Sequence, residues 1–186
     1  FFKEREDKRD ILAEMAANGF NVSTDPASLD KAELPYIGLF ASYELNPALD
    51  RGDLARKEVA KAIELLNNEN GFFLMIEGSC IDDWCHENKI GYVVEEIFDF
   101  DRIVGDVLQW AERDGETMVI ITNDHSTGGL NLQDGDLSTG TVKVNFSNSG
   151  HNSIICPVYA YGPGAENFVG QYENADLSKK ISSFIK

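Results

Sequence analysis

Apolar and polar residues follow two different periods along this chain, and together they predict helices alternating with short strands. Residues 3–18, 54–67 and 90–113 repeat their apolar positions at helical spacing, and Gly19 and Gly115 follow the first and third of these segments. The predicted strands are "FNVST", "YIGLFAS", "FFLMIE" (72–77), "TMVIIT" (117–122) and "SIICPVYAYG" (153–162). Such alternation is typical of a single α/β domain, here spanning residues 1–186, around a mostly parallel sheet.

Two further segments complete this prediction. Residues 126–150 are rich in Gly, Ser, Asn and Asp, which predicts a loop with one hairpin strand at "TVKVNF" (141–146). Near the end of the chain, Asp176 is predicted to cap a closing helix.

Composition narrows the classes of partner. The chain has 186 residues, 42% of them hydrophobic, which is enough for one core. Its 16 basic and 32 acidic side chains give a net charge of −16, which excludes nucleic acid and anionic membranes as partners. No apolar run reaches membrane-spanning length. The opening "FFKEREDKRD" has no signal-peptide pattern and no initiator Met, and we interpret the chain as a mature, processed or excised piece.

The three cysteines, Cys80, Cys85 and Cys156, have no zinc-ribbon spacing, and an odd number cannot pair completely within the chain. A bridge between Cys80 and Cys85 stays open as an alternative to free thiols, although so short a loop is often strained. The cysteines therefore do not identify the cellular compartment.

The chain has only three histidines, and each lies near the junction of a predicted strand. His86 follows Asp82 by four residues, so one helical turn would point both side chains the same way. His125 directly follows Asp124 at the end of the strand 117–122, and Glu77 ends the strand 72–77. Ligands collect beyond the carboxyl ends of strands in open α/β sheets.

Imidazole and carboxylate groups are ligands for zinc, and carboxylates also suit magnesium. Isolated Asp and His residues that merely cap helices or line turns are the alternative, but three histidines at strand junctions favour a metal site. His151 precedes its strand, so it reaches the same sheet edge only if that strand runs antiparallel to the others.

Four motifs resemble the alkaline phosphatases, in the order and at the spacing of that family. They are "GFFLMIEGSCIDDWCH", "VVEEIFDFDRIVG", "MVIITNDHSTGG" and "HNSIICPVYAYGPGAENFVG". The resemblance implies a bacterial-type phosphomonoesterase with two Zn²⁺ and one Mg²⁺, working through a phosphoserine. It also implies a three-layer α/β sandwich with a mostly parallel central sheet and one antiparallel strand, a periplasmic or secreted location, and a homodimer as one arrangement.

By motif, the resemblance assigns Asp82, His86 and His151 to the first zinc. It assigns Asp124 and His125 to the second zinc, and Glu77 to magnesium. The family's nucleophilic serine belongs to an N-terminal block that is not found here, so no catalytic residue is assigned. This chain is then expected to be a C-terminal portion that is inactive by itself, with its metal sites empty or partly filled, and the missing N-terminal part is its partner.

Two residues depart from the family pattern. Asp83 follows a zinc ligand where relatives carry Lys, His or Trp, so an extra negative charge is expected near the phosphate, unless Asp83 is a solvated surface carboxylate. Asn152 follows His151 where Thr is common, which puts the support of that ligand in question.

Two alternative functions stay open at this point. One is another enzyme of the same superfamily, such as a phosphodiesterase, a sulfatase or a cofactor-independent phosphoglycerate mutase. The other is a non-catalytic metal-binding module. The "EGSCID" and "AYGPGAE" segments favour the monoesterase.

Overall fold

The computed structural model describes residues 5–185 as helices combined with small sheets. They divide into two compact units, with the boundary between Glu77 and Gly78. This arrangement of elements agrees with the predicted α/β class.

The first unit is built from short elements. It contains helices α1 (Ile11–Ala17), α2 (Ala48–Arg51) and α3 (Leu54–Leu66), strands β1 (Asn21–Ser23) and β2 (Tyr36–Gly38), and a 3₁₀ turn (Pro26–Lys31). Strands β1 and β2 pair in parallel, with Asn21 opposite Tyr36. Helix α3 confirms the prediction for residues 54–67.

Helix α1 is shorter than the predicted 3–18, of which residues 3 and 4 lie outside the described residues. It begins at Ile11 because the side chain of Asp10 accepts a hydrogen bond from the backbone N–H of Ala13 at 3.1 Å. Its end agrees with the prediction, since Gly19 follows with φ at +90°.

The prediction of a strand at 72–77 is wrong, since the structure assigns no strand there. The side chains alternate in exposure, and Phe73 and Met75 remain 58% and 77% exposed. A strand needs a partner that bonds its backbone, and no strand of residues 5–185 pairs with this segment. Its apolar sequence therefore marks a potential strand without a neighbour.

The second unit carries the longest helix and most of the strands. Its helices are α4 (Cys80–His86), α5 (Ile90–Asp114) and α6 (Asn174–Ser182), with a 3₁₀ turn at Ala165–Phe168. Its strands are β3 (Val119–Thr122), β4 (Ser126–Thr127), β5 (Asn131–Asp136), β6 (Thr141–Asn145), β7 (His151–Asn152) and β8 (Val158–Tyr161).

Helix α5 supplies much of the core of this unit. Val93 is fully buried, and Ile103 and Ala111 recur at helical spacing on the buried face. Gly115 ends the helix in the left-handed conformation, with φ at +75°. Both the extent and the end of this helix confirm the prediction for residues 90–113.

Three antiparallel strand pairs form in the second unit: β3 with β8, β4 with β7, and β5 with β6. The pairing of β8 with β3 confirms the predicted antiparallel strand after His151. The β5–β6 hairpin includes the strand predicted at 141–146. Among residues 5–185 only β1 and β2 are parallel, so the three-layer sandwich with a mostly parallel sheet stays a prediction.

Three smaller predictions have definite outcomes. Asp176 is not the cap of α6, because the helix begins at Asn174. The backbone N–H of Asp176 already donates to the carbonyl of Glu173, at 2.9 Å. All three cysteines are free thiols. Within residues 5–185, no helix has both the length and the apolar character that crossing a bilayer requires.

Candidate metal centre

Helix α4 places Asp82 and His86 on one face, one turn apart. The Nε2 atom of His86 lies 3.2 Å from Oδ2 of Asp82, which confirms the predicted common direction of the two side chains. The other ring nitrogen of His86, Nδ1, lies 2.6 Å from the carbonyl oxygen of Ser149. A carbonyl only accepts, so Nδ1 carries the proton and Nε2 of the neutral ring presents a lone pair.

The exit of β3 supplies the next pair, Asp124 and His125. The backbone N–H of His125 donates to Oδ1 of Asp124 at 3.0 Å, while its Nε2 lies 3.2 Å from Oδ2 of the same carboxylate. The side-chain amide of Asn123 donates to the carbonyl of His125 at 2.7 Å and so holds the turn. The two side chains therefore leave the strand toward a common point.

His151, in β7, joins these two pairs. Its ring stacks on the ring of His125, with the centroids 3.6 Å apart and the planes 23° apart. Its Nε2 lies 3.0 Å from Nε2 of His86 and 3.7 Å from Oδ1 of Asp82. One potential ligand atom from each of Asp82, His86 and His151 lies within 4.8 Å of the others.

The structure therefore brings five of the six predicted metal ligands together. Glu77 belongs to the first unit, where its side chain is exposed, and its role stays a prediction. Asp83 is exposed on α4 beside Asp82, and its predicted position near a phosphate also stays a prediction.

Thr127 is a site residue that the sequence reasoning missed. Its hydroxyl donates to Oδ1 of Asp82 and lies 3.1 Å from Nδ1 of His125. It is only 7% exposed, in contrast to the ligand side chains. A signal was available, because residues at i and i+2 of an extended segment share a side, and Thr127 follows His125 by two residues.

Gly128 explains how β4 comes so close to helix α4. With φ at +73°, it lies where an added Cβ would be 2.8 Å from the carbonyl oxygen of Cys85. Its backbone N–H donates to the carbonyl of Gly150 at 2.9 Å. Glycine therefore permits the approach that sets Thr127 against Asp82.

Asn152 supports His151 through the strand pairing rather than through the ring. In the β4–β7 pair, Thr127 lies opposite His151 and Ser126 lies opposite Asn152. The side-chain amide of Asn152 donates to the hydroxyl of Ser126 at 3.3 Å. The residue that departs from the family pattern thus links the two strands that carry Thr127 and His151.

The acidic surroundings extend to the buried thiol of Cys85. Burial, and secondly the negative charge of Asp82, raise the pKa of the Cys85 thiol above its ordinary value. A neutral, buried thiol is a poor metal ligand at neutral pH. The candidate ligands are therefore the imidazoles and the carboxylates.

This donor set fits a divalent cation of the zinc type. Three imidazoles and two carboxylates converge, and the Nε2 atoms of His86 and His151 face each other at 3.0 Å. The lone pair on Nε2 of His86 is satisfied either by a proton on Nε2 of His151 or by a metal ion that both rings bind. Nitrogen and oxygen ligands of these kinds are typical of zinc sites, and those that keep an open position are catalytic.

Comparison with known proteins gives a consistent result. A family model described as alkaline phosphatase matches residues 3–151. The repressible alkaline phosphatase of Saccharomyces cerevisiae is 38% identical over 146 residues, which cover 68% of this chain and 26% of the yeast protein. The alkaline phosphatase of Escherichia coli is 31% identical over 213 residues, covering 87% of this chain and 44% of that protein.

Solved structures agree with these sequence matches. The alkaline phosphatase from the Antarctic bacterium TAB5 matches with a TM-score of 0.85 and 36% identity, over 99% of this chain and 57% of that chain. A variant of that enzyme with Mg bound in its M3 site also matches, at a TM-score of 0.85. The chain spans less than half of the length of the two curated relatives named above, 26% of the yeast protein and 44% of the Escherichia coli protein.

Proposed function

The chain belongs to the alkaline phosphatase family, and from this premise we propose that it supplies the metal-holding part of a metal-dependent phosphate monoester hydrolase. The observation that carries the proposal is the convergence of Asp82, His86 and His151, with one potential ligand atom of each within 4.8 Å of the others. These residues come from segments far apart in the chain, and their meeting is what a metal site requires.

The ligands divide into two zinc positions. Asp82, His86 and His151 hold the first Zn²⁺, and Asp124 and His125 hold the second. The closeness of the two groups, with the His125 and His151 rings in contact, supports a two-metal centre. Glu77 is proposed as a ligand of Mg²⁺ from the family motif alone.

When bound, these cations supply the positive charge that attracts and stabilises a phosphate group against the acidic background of the chain. The chain's own residues prepare the site for them. The carbonyl of Ser149 orients His86, and Asn123 fixes the turn that carries Asp124 and His125. Asp83 lies exposed beside the site and is proposed to lie near the phosphate.

The attacking serine is proposed to lie in a part of the complete protein outside this chain, since no serine here matches the family's nucleophile motif. The two units are proposed to form one domain of a three-layer sandwich with a mostly parallel sheet. The match to the TAB5 enzyme over 99% of this chain supports this fold. A periplasmic or secreted location and a homodimer are proposed from family membership alone.

The decisive experiment measures hydrolysis of an aryl phosphate by the complete protein and by this chain. We expect turnover for the complete protein, loss of that turnover on chelation, and its return with zinc and magnesium. The isolated chain should stay at background. Turnover that survives exhaustive chelation would overturn the proposed metal chemistry.

Substrate class is tested separately with a phosphate monoester, a phosphate diester and a sulfate ester. The proposal expects the monoester to react fastest under identical metal loading. A faster diester or sulfate ester would assign the protein to another branch of the superfamily. Metal binding without turnover of any ester would favour a non-catalytic module.

A further inference from the structure

Thr127 lies between the two groups of proposed ligands, and its hydroxyl contacts one residue of each group. It donates to Oδ1 of Asp82 and lies 3.1 Å from Nδ1 of His125. We propose that Thr127 is a positioning residue, which holds His125 as the Nδ1–H tautomer and couples the two metal positions through one buried hydroxyl. The coupling rests on the proposed function, whereas the tautomer does not.

Counting protons fixes the direction of both hydrogen bonds. A threonine hydroxyl has one proton and two lone pairs, while an ionised carboxylate can only accept. The single proton of Thr127 is given to Asp82, so the hydroxyl oxygen can only accept from His125. Nδ1 of His125 must therefore carry a proton, and Nε2 of the neutral ring must present a lone pair.

The surroundings of Nε2 of His125 agree with a tautomer in which this atom is free to bind a metal ion. Nε2 of His125 lies 3.2 Å from Oδ2 of Asp124, so a lone pair faces a carboxylate oxygen. Two acceptors this close repel each other, and a shared cation removes the repulsion. Without Thr127, a proton on Nε2 could bond Asp124 instead and would block the metal.

Burial makes the choice of Thr127 specific. The residue is 7% exposed, so water has little access to replace its hydroxyl. Strand pairing places it opposite His151, and the close approach at Gly128 seats β4 against α4. Removing this buried hydroxyl would therefore take one hydrogen bond from Asp82 and one from His125 at a position that water reaches poorly.

The same hydroxyl also links the two proposed zinc positions. Asp82 belongs to the first ligand group and His125 to the second, so removing the hydroxyl releases one ligand of each. Removing a group that forms a hydrogen bond with a metal ligand typically lowers metal affinity by about 10–100-fold. We therefore expect Thr127→Val to weaken both zinc positions, not one alone.

The first test is spectroscopic and needs no metal. Nitrogen NMR on the complete protein with ¹⁵N-labelled histidine distinguishes a protonated Nδ1 from a protonated Nε2. We expect His125 of the metal-free wild-type protein to show the Nδ1–H form, Thr127→Ser to retain it, and Thr127→Val to lose it. An Nε2–H form in the wild-type protein overturns the proposal, whether or not any variant folds.

The second test measures zinc affinity of the same proteins by competition with a chelator. Thr127→Val should bind both equivalents about 10–100-fold more weakly, and Thr127→Ser should stay close to wild type. Thr141→Val, on the exposed strand β6, is the matched control and should bind zinc normally. Unchanged affinity in Thr127→Val overturns the coupling.

Failure of the proposed function gives a different result. If the wild-type protein binds no zinc, the metal proposal fails, while the tautomer of His125 still decides whether Thr127 positions the ring. If the wild-type protein binds two equivalents and Thr127→Val binds them equally well, only the role of Thr127 fails.

Discussion

The Nε2 atoms of His86 and His151 lie 3.0 Å apart, although the two residues are 65 positions apart in the chain. The carbonyl of Ser149 accepts a hydrogen bond from Nδ1–H of His86, so Nε2 of the neutral ring presents a lone pair to His151. The fold thus holds two imidazoles in an arrangement that a cation stabilises. The first four predictions below test how the surrounding chain maintains it.

Replacing Asp82 by Asn should weaken zinc binding strongly, by about 100-fold or more, because a charged ligand that contacts His86 becomes neutral. Competition titration with a chelator measures the change. Glu87→Gln removes the same charge from the exposed end of α4 and serves as the control. Equal losses in both variants would show that general charge, not ligation, governs the affinity.

His86→Ala and His151→Ala should be non-additive. If both rings hold the same ion, either variant loses one zinc equivalent and the double variant loses no more. Calorimetric titration of the complete protein gives the stoichiometry and affinity of each variant. A second equivalent lost in the double variant would mean that the two rings serve different ions.

Gly128→Ala should destabilise the protein more than Gly140→Ala. Both glycines have positive φ, at +73° and +65°, so each alanine carries a backbone cost of about 1–2 kcal/mol. Only at Gly128 would the new Cβ meet backbone, 2.8 Å from the Cys85 carbonyl oxygen, whereas at Gly140 nothing lies within 4 Å. Overpacking should add about 1–3 kcal/mol, measured as the free energy of unfolding in urea. Equal losses would contradict the close approach.

Asn152→Ala and Ser126→Ala should show coupling in a double-mutant cycle. Their side chains share one hydrogen bond of 3.3 Å across the β4–β7 pair, and such a bond contributes about 1 kcal/mol. The cycle is measured from unfolding free energies. In the uncoupled control cycle, Ser138→Ala, in the turn of the β5–β6 hairpin, replaces Ser126→Ala. Purely additive effects would show that Asn152 does not support His151 through this hydrogen bond.

Cys156 should be alkylated before Cys80 and Cys85 in the native protein. The two thiols of α4 are buried, at 8% and 7% exposure, while Cys156 is half-buried. Burial and the charge of Asp82 raise the pKa of Cys85, which also keeps it in the unreactive thiol form at neutral pH. Iodoacetamide labelling followed by peptide mass spectrometry gives the order, and early labelling of Cys85 would contradict it.

The same shift predicts a pH dependence of stability. Because the pKa of Cys85 is raised on folding, the folded protein keeps a proton that the unfolded chain loses first. Its contribution is complete below the ordinary thiol pKa and is lost as the pH rises through the raised value. Above neutral pH, the midpoint temperature of thermal unfolding should therefore fall less steeply with rising pH in Cys85→Ala than in the wild type. Parallel pH profiles of the two proteins would contradict this.

Local sequence signals predicted the two longest helices and one side-chain direction at the site. The spacing of apolar residues located α3 and α5, and the four-residue step from Asp82 to His86 correctly placed both side chains on one face. His151 was placed through a single condition, the antiparallel direction of β8, which the structure confirms. These features depend on neighbours in sequence or on one strand direction.

Features that depend on distant partners were not predictable. The segment 72–77 has a strand composition, but a strand forms only where another backbone pairs with it. Thr127 is an unremarkable hydroxyl in sequence and becomes important only because Gly128 lets β4 approach α4. Asp176 was predicted to cap α6, but the helix begins at Asn174 with Glu173 at the N-cap position. Asp176 therefore lies within the first turn.

The separation between His86 and His151 also bears on when the centre can form. A polypeptide still emerging from the ribosome presents Asp82 and His86 long before β7 has been made, and two such side chains hold a cation poorly by themselves. If this centre holds zinc as proposed, the ion binds only after β7 has been synthesised. A nascent chain halted before that strand should therefore not be stabilised by excess zinc.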